Sequence, residues 1–473
     1  MKLINRRSLL KGLGLGGLLG VFPSVYAESN NSDSDVLYLQ RNNRLFDDFT
    51  YLFNKRISLT PKVIAVCSNE QGVQKAVRYA KEQDLPVTVK SGGHSFEGFS
   101  LNNGGMVIDV STMAGLELNE RHELIAQPAV RLAQLYGFSL ARGRLLPTGS
   151  CGTVGLSGIT LGGGYGLFSR QFGLTCDYLT GVRMVDAEGN VIDTDLDADK
   201  GAELLWACRG GGNGNFGVVT QLRYNTVAAP ETLHQHRFRS YKLNPARASR
   251  LAEFWFEQCK NLPHHAYSAF VLNGSTLTVM FTATEHDSAM ETLLANFDST
   301  MDNNAGLKPD PLAVGLQYYY GRSDALYFKN ISAGYYKGFE DIRGCTEALF
   351  TEVINTPGMV FQISSLGGEI NNLKRSNGST ADGAYVHRQA NFLGEAQCYW
   401  QSPKQEARSM QGMATLQTIL YENGVRQHYI NYPDMNIRDY ERAYYGESYP
   451  RLQKLKRELD PGNRFSYPQG IKL

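Results

Sequence analysis

Glycine is concentrated in three segments of this chain, and this distribution constrains the fold more than any other feature. The clusters lie at residues 92–98, 149–166 and 210–217. The 49 glycines among 473 residues do not follow the three-residue period of collagen. Glycine lets the backbone approach a flat ring or a phosphate closely, and successive N–H groups in such turns can hold an anion. The clusters therefore favour a globular fold whose loops surround a ligand.

Charge and length narrow the class of protein. Lysine plus arginine number 47 and aspartate plus glutamate 46, so the net charge of +1 indicates no broad electrostatic footprint for nucleic acid. Charged residues make up 20% and hydrophobic residues 42% of the chain, which excludes intrinsic disorder. The length predicts about two to four domains.

The first 27 residues resemble an export signal. Arg6-Arg7 precedes an apolar stretch at residues 9–22, and Val25-Tyr26-Ala27 is typical of a signal cleavage site. The apolar stretch is too short and glycine-rich to span a bilayer well. Residues 6–11 (RRSLLK) are similar to a twin-arginine signal, which serves proteins that are exported already folded. We therefore expect the twin-arginine export machinery as a partner, a periplasmic or secreted location, and no stable membrane insertion after the signal is cleaved.

A pattern of strand, helix and strand leads into the first glycine cluster. Residues 62–67 predict a strand, Ser68 and Gln71 form a capping box that opens a helix, and residues 87–89 predict the next strand. This order is a βαβ-type beginning.

The second half of the chain has a different pattern. From about residue 227 the glycine clusters stop, and alternating runs at residues 277–282 and 359–365 predict strands between helical stretches such as residues 246–259. We interpret this part as a second, α+β domain. After it, Leu452, Leu455 and Leu459 lie on one face of a predicted helix that ends at Asp460-Pro461-Gly462.

The third glycine cluster contains a literal G-x-G-x-x-G at Gly212, Gly214 and Gly217. A helix-like segment at residues 202–208 precedes it and a strand-like segment at residues 218–224 follows it, whereas a nicotinamide-binding Rossmann site needs strand, loop and then helix. A Rossmann site is therefore not predicted. The seven cysteines are an odd number and define no disulfide framework, no spacing predicts a metal site, and pairings stay open.

Several motifs together closely resemble the berberine bridge enzyme-like family, within the vanillyl-alcohol oxidase fold. They are residues 89–98 (VKSGGHSFEG), 149–166 (GSCGTVGLSGITLGGGYG), 205–217 (LWACRGGGNGNFG), 429–434 (YINYPD), 444–446 (YYG) and 460–465 (DPGNRF). The middle third of the chain matches only weakly. Several motifs in the family's order are far more specific than any single one.

The resemblance implies an α+β fold with a PCMH-type FAD-binding domain of two α+β subdomains, plus an α+β substrate domain with an antiparallel sheet. We expect a twin-arginine-like signal at 1–27, the FAD-binding domain at 28–226 and the substrate domain at 227–424. We expect residues 425–473 to form the family's C-terminal segment, which completes the FAD domain.

The resemblance also implies that FAD is held by two covalent bonds, from His94 to the 8α-carbon and from Cys151 to C6. Imidazole and thiolate are nucleophiles able to add to the electron-poor edge of the flavin. Ile159 stands where many relatives carry histidine, and Val154 lies where relatives that use oxygen tend to have valine, which favours an oxidase. The other residues expected around FAD are Ser91, Gly92, Gly93, Ser95, Gly149, Val154, Gly155, Gly158, Gly162, Gly163, Gly164, Gly166, Gly217 and Asn431.

For catalysis, the resemblance implies a tyrosine base at Tyr432, with Tyr429 as the alternative. Gln397 resembles the position from which relatives aim a polar side chain at the substrate. Glu395 and Gln397 are two residues apart on a predicted strand, so both can point to one face.

The sequence thus predicts an FAD-dependent oxidase that moves hydride from an alcohol or sugar hydroxyl carbon to flavin N5 and reduces O₂ to H₂O₂. Its partners would be a small-molecule substrate and O₂. Two alternatives stay open. One is oxidative cyclisation or tailoring of a natural product, with Glu395 as base, and the other is a flavin-loaded binding protein without turnover.

Overall fold

The computed structural model describes residues 35–306, 309–375 and 378–473. The expected signal at residues 1–27 lies outside these ranges. No helix within them is long and apolar enough to cross a membrane.

The first half of the described chain forms two small sheets and a two-stranded ribbon. Its strands are β1 (Val36–Leu39), β2 (Val63–Cys67), β3 (Val87–Lys90), β4 (Met106–Asp109), β5 (Leu116–Leu118), β6 (Leu124–Ala126), β7 (Arg144–Leu145), β8 (Leu179–Val185), β9 (Val191–Asp193), β10 (Val218–Tyr224) and β11 (Val227–Ala228). Its helices are α1 (Phe46–Phe49), α2 (Glu70–Glu82), α3 (Leu132–Leu140), α4 (Leu156–Leu161), α5 (Ser169–Phe172) and α6 (Ala198–Cys208).

The first sheet has the order β1-β2-β4-β3, and both β2 and β3 run parallel to β4, which lies between them. β2 and β3 confirm the strands predicted at residues 62–67 and 87–89, and β4 lies between them in the sheet. The second sheet is antiparallel, in the order β5-β6-β10-β8-β9. Parallel strands need a crossover, and α2 supplies it by packing its buried residues, among them Val73 and Val77, against the first sheet.

The start of α2 differs from the predicted capping box. Asn69, not Ser68, caps the helix, and its side-chain oxygen accepts a 2.9 Å bond from the Gly72 amide. The amide group of Asn69 also donates to Asp35 Oδ1 at 2.8 Å, and Ser68 Oγ donates to the Asp35 carbonyl at 3.1 Å. Asp35, far away in sequence, thus contacts both residues, and Asn69 is the one that caps the helix.

The second half of the chain builds one large antiparallel sheet, as the fold class predicted. Its strands are β12 (Thr232–Ser240), β13 (Ala266–Asn273), β14 (Thr276–Ala283), β15 (Asn303–Gly306), β16 (Asp310–Pro311), β17 (Tyr327–Tyr336), β18 (Met359–Ser365) and β19 (Phe392–Trp400), in the order β15-β12-β14-β13-β18-β19-β17 with β16 beside β12. The helices are α7 (Pro245–Cys259), α8 (Ser288–Asp298), α9 (Leu312–Gly315), α10 (Thr346–Asn355), α11 (Glu406–Glu422) and, after the sheet, α12 (Tyr449–Leu459).

One face of the large sheet packs on α7, α8, α10 and α11 through a buried aromatic and aliphatic core that includes Trp255, Phe270 and Phe350. The opposite face of its central strands turns toward the loops of the first half. The α+β class is confirmed, and this second face is the one that matters for function.

The C-terminal helix α12 returns to the first half of the chain. The buried side chains of Leu452, Leu455 and Leu459 lie in the same core as Leu204 and Ala207 of α6. The buried Lys456 ammonium donates to the carbonyl of Asn215 in the third glycine cluster at 2.6 Å. The end of the chain is therefore fixed against the glycine loops.

Candidate active site

A cavity of about 1000 Å³ lies between the glycine loops and the inward face of the large sheet. All four predicted catalytic residues line it, as do all predicted cofactor-binding residues except Gly162, Gly163 and Gly164. Segments from both halves of the chain and from the C-terminal part meet here. The predicted residues that line the cavity are Tyr432, Gln397, Glu395, Tyr429, His94, Cys151, Ser91, Gly92, Gly93, Ser95, Gly149, Val154, Gly155, Gly158, Gly166, Gly217 and Asn431.

The imidazole of His94 stacks on Phe53, with ring centroids 4.4 Å apart. Burial, and secondarily the positive charge of Arg131, lower the pKa of His94 to about 3. The ring is therefore neutral at physiological pH and keeps a lone pair, which is the form that acts as a nucleophile.

Arg131 joins the two glycine loops that carry His94 and Cys151, and no motif in the sequence points to it. Its Nη1 donates to the Gly92 carbonyl and to the Thr153 carbonyl, each at 2.7 Å. A Cβ on Gly92 would lie 2.9 Å from this nitrogen and 2.8 Å from the Gly155 amide nitrogen. Glycine at 92 thus allows the two loops to approach, and Arg131 holds them together.

Cys151 is the one cysteine that lines the cavity; the other six are buried elsewhere, and none of the seven forms a disulfide. The neighbouring Gly152 amide donates to the Tyr320 carbonyl at 3.0 Å, so the segment before β17 covers this loop. The Cβ position of Gly321 lies 3.6 Å from Cys151 Sγ. The thiol therefore lies where the two halves of the chain meet.

Gly162 and Gly164 do not line the cavity, but they contact Asn431 and Tyr429, which do. The Gly164 amide donates to Tyr429 Oη at 3.0 Å, and a Cβ on Gly162 would lie 2.1 Å from Asn431 Oδ1. Asn431 in turn donates to Tyr429 Oη at 2.9 Å. Gly162 and Gly164 thus position Tyr429 and Asn431. These glycines do not line the cavity, and their place at the cofactor stays a prediction.

Tyr432 Oη lies 2.5 Å from Tyr165 Oη, and its ring stacks on Phe96 at 5.8 Å between centroids. Burial, followed by the nearby Glu395, raises the pKa of Tyr432 well above 10. Burial also raises the pKa of Tyr429 to about 12. Both phenols are therefore neutral, and a base at Tyr432 needs a second group to take its proton.

Glu395 is buried on β19 beside Gln397, and the two side chains point to the same side of the strand as predicted. Gln397 Nε2 donates to Glu395 Oε1 at 2.6 Å, Asn330 on β17 donates to the same oxygen, and Tyr399 Oη donates to Gln397 Oε1 at 2.5 Å. Burial raises the pKa of Glu395 above that of an ordinary glutamate. Glu395 is thus a carboxyl with increased affinity for a proton.

A buried ion network next to the cavity was not predicted. Lys329 on β17, 2% exposed, donates to Glu97 and, at 2.7 Å, to Asp434 Oδ1. Arg56 Nη2 lies 2.8 Å from the other Glu97 oxygen. Glu97 follows His94 by three residues and Asp434 follows Tyr432 by two, so Lys329 links the loops of His94 and Tyr432 to the large sheet.

Two observations on the residues that line the cavity test whether it fits FAD. Ser100 Oγ and Asn213 Oδ1 belong to residues that line it, and these atoms are buried with no hydrogen-bond partner in the part of the chain that the structure describes. A Cβ on Gly158 would meet no described atom within 4 Å. Unsatisfied polar atoms and open backbone are what a cofactor with a planar ring and a polar chain would cover, so these residues fit FAD.

Known proteins resemble this chain in sequence and in fold. Residues 61–195 match the family described as FAD binding domain, and residues 428–472 match the family described as berberine and berberine like. An FAD-linked oxidoreductase of Bacillus subtilis is 28% identical over 439 residues, 88% of this chain and 92% of its own. The carbohydrate oxidase of Microdochium nivale is 27% identical over 462 residues, 89% of either chain. The solved structure of wild-type BBE-like 1 of Physcomitrella patens has a TM-score of 0.83 at 23% identity, covering 93% of this chain and 97% of that chain, and shares the fold.

Proposed function

This chain belongs to the berberine bridge enzyme-like family of FAD-linked oxidoreductases, and we propose that it is an oxidase of alcohols, with the anomeric hydroxyl of a sugar as the first candidate. One observation carries the proposal. Glu395, which can take up a proton, and Tyr432, which can pass one on, line the same cavity as His94 and Cys151. When bound in this cavity, FAD would supply the acceptor for a hydride from the substrate carbon and the means of passing two electrons to O₂ to give H₂O₂.

We propose that residues 28–226 and 425–473 hold the cofactor, while 227–424 supply the substrate wall. His94 and Cys151 are proposed to bond to FAD covalently. The low pKa of His94 supports this, because a neutral imidazole keeps the lone pair that a covalent bond requires. Arg131 supports it as well, since it holds the His94 and Cys151 loops at a fixed separation.

The proposed proton path runs from the substrate hydroxyl to Tyr432 Oη and ends on Glu395. Loss of a proton from Tyr432 alone would place a phenolate in a buried site beside Glu395, which its raised pKa disfavours. Glu395, whose own pKa is raised, is the neighbouring group suited to hold that proton. Gln397 and Asn330 both donate to Glu395 and thereby orient it.

Val154, three residues after Cys151, lines the cavity and is proposed to leave room for O₂. A larger side chain there would fill the space beside the cofactor. We therefore propose O₂ as electron acceptor, and the carbohydrate oxidase of Microdochium nivale, 27% identical, supports this choice.

The experiment is a substrate panel that measures H₂O₂ release and anaerobic flavin bleaching separately. The panel contains mono- and oligosaccharides, aromatic alcohols and polycyclic secondary metabolites. Bleaching and peroxide with saccharides would support the proposal. Bleaching without peroxide would identify a dehydrogenase, product cyclisation would identify the tailoring alternative, and an unbleached flavin with every compound would identify a binding protein.

A further inference from the structure

Side chains of β18 and β19 line the substrate side of the cavity, and several of the polar ones are bonded to one another. Glu395 Oε1 accepts from Gln397 and Asn330, and Gln397 Oε1 accepts from Tyr399 Oη. Gln362 on β18, which faces Glu395, donates to Ser364 Oγ at 3.1 Å. Glu395 Oε1, Gln397 Oε1 and Gln362 Nε2 thus already have hydrogen-bond partners within the protein.

Two donors of the cavity wall have no acceptor. The indole N–H of Trp400, a residue 6% exposed, is buried and unpaired among the described residues. Arg322 also lines the cavity, is exposed, and forms no ion pair or hydrogen bond with any residue that the structure describes. Two donors without acceptors on this side of the cavity match a ligand that brings acceptors of its own.

The charge of the wall points to the same kind of ligand. Arg322 is the only lysine or arginine among the described residues that line the cavity. The one carboxylic acid in the lining, Glu395, lies in the buried interior and is bonded to other side chains, so it does not neutralise Arg322. A guanidinium presents a planar fork of N–H groups that pairs with a carboxylate through two parallel bonds.

Arg322 also lies close to the reacting end of the site. It precedes β17 in the segment that covers Cys151, and it is near enough to Tyr399 for its charge to act on that phenol. Tyr399 donates to Gln397, and Gln397 donates to Glu395. Arg322 is therefore separated from the proposed proton acceptor by a short chain of hydrogen-bonded side chains.

We propose that Arg322 binds a carboxylate of the substrate, so that the preferred substrates are acidic saccharides containing a uronic acid. This inference rests on the proposed function and specifies its substrate class. Arg322 is a binding residue in this scheme and takes no part in proton transfer.

The test compares saccharides that differ only in one carboxylate: galacturonate with galactose, and digalacturonate with the matching galactose disaccharide. The measured quantity is the ratio of kcat/KM for the acidic and the neutral member of each pair. We expect wild type to prefer the acid at least about 10-fold, and Arg322→Gln to reduce this ratio about 10- to 100-fold, mainly through KM, because a charge-assisted bond is lost. Arg322→Lys should retain part of the preference, since it keeps the charge but loses the fork.

Arg239→Gln is the matched control, because Arg239 lies on β12 of the same sheet and does not line the cavity. It should leave the ratio unchanged. Added salt should weaken the wild-type preference, since an exposed ion pair is screened, and should have no such effect on Arg322→Gln.

Equal ratios in wild type and Arg322→Gln, or a wild-type preference for neutral sugars, would overturn the inference. Calorimetric titration of the flavin-loaded protein with galacturonate and galactose separates this failure from that of the proposed function. If no saccharide is oxidised but galacturonate binds to wild type and not to Arg322→Gln, the proposed function fails and the carboxylate site stands. If wild type binds neither sugar and oxidises neither, both fail.

Discussion

At the scale of single residues, the neighbours of Tyr432 decide how it can act. Tyr165 shares a hydrogen bond with it, Phe96 packs on its ring, and Glu395 opposes a negative charge on it. An isolated phenol in this environment keeps its proton at neutral pH. Tyr432 can therefore accept a proton from a substrate only if it passes its own proton to another group.

The first prediction concerns this proton. Tyr432→Phe keeps the shape and packing of the ring but removes the acceptor, so we expect the rate of anaerobic flavin reduction to fall about 10²- to 10⁴-fold, or about 3 to 5 kcal/mol. Flavin content should hardly change. Stopped-flow absorbance measures the rate, with Tyr429→Phe as the control, since the Tyr429 hydroxyl is bonded to Gly164 and Asn431.

A Tyr432→Phe protein within a few-fold of wild type would exclude Tyr432 as the proton acceptor. A large loss confined to Glu395→Gln would show that Glu395 takes the proton directly and would favour the tailoring alternative.

The second prediction concerns the cofactor bonds. After denaturation and acid precipitation, flavin should remain with wild type and with either His94→Ala or Cys151→Ala, and should be released only from the double variant. Absorbance of the supernatant measures the released flavin. Cys208→Ala, a change at a buried cysteine outside the cavity, is the control. Release from the unaltered protein would contradict the bicovalent assignment.

At the scale of elements, β17 connects the loops that carry His94 and Tyr432 to the large sheet. Its Asn330 donates to Glu395, and its Lys329 holds Glu97 and Asp434. These three charged side chains are at most 4% exposed. Removal of one partner from such a buried ion pair strongly destabilises the fold, because the remaining charge is left buried without a partner.

The third prediction follows from this network. Lys329→Met leaves Asp434 buried without its cation and leaves Glu97 with Arg56 alone, so we expect a loss of about 3 to 5 kcal/mol in the free energy of unfolding. Lys81→Met is the matched control. Lys81 pairs with Glu188 at the surface, both side chains being 49% exposed, and its loss should change stability by about 0 to 1 kcal/mol. Denaturant unfolding followed by circular dichroism measures both, and equal effects would contradict the structural role of the network.

At the scale of the whole molecule, two buried histidines link stability to pH. The ring of His387 donates to the Tyr444 carbonyl at 3.1 Å, and that of His428 donates to the Ser332 carbonyl at 3.0 Å. Burial lowers the pKa of each to about 4. Both therefore stay neutral in the native protein at a pH where the unfolded chain binds protons at these positions.

The fourth prediction gives the sign of this linkage. As pH falls from about 6.5, the ordinary pKa of histidine, toward 4, the unfolded state gains protons that the native state does not. Stability should fall by up to about 1.4 kcal/mol per pH unit for each histidine. Thermal midpoints measured between pH 7.5 and 4.5 check this, and His387→Gln, which keeps an N–H donor, should flatten the slope. An unchanged slope in that variant would assign the acid sensitivity to other groups.

The fifth prediction concerns export. We propose that the protein is exported in folded form through the twin-arginine route, because Arg6-Arg7 precedes an apolar stretch and the cofactor needs a folded pocket for attachment. Changing both arginines to lysine should leave flavin-loaded precursor in the cytoplasm, as cell fractionation would measure. Normal export of that variant would contradict the route without affecting the enzymatic proposal.

The sequence by itself determined what depends on neighbours along the chain. Alternation and buried runs predicted strands at residues 218–224 and 359–365, which the structure confirms as β10 and β18. The order of elements around Gly212 excluded a nicotinamide-binding Rossmann loop, and the structure places α6 before and β10 after it. The glycine motifs identified the loops around the cavity, because close approach of backbone requires glycine at a defined spacing.

Only the tertiary structure decided which side chains meet across long separations. Lys329 and Glu97 are 232 residues apart, and Tyr429 and Gly164 are 265 residues apart. No local period encodes such contacts, because they depend on how three sheets and the C-terminal helix pack together. For the same reason, the sequence did not show that Gly162 and Gly164 contact Asn431 and Tyr429, or that Arg131 and Arg322 lie at the cavity or its loops.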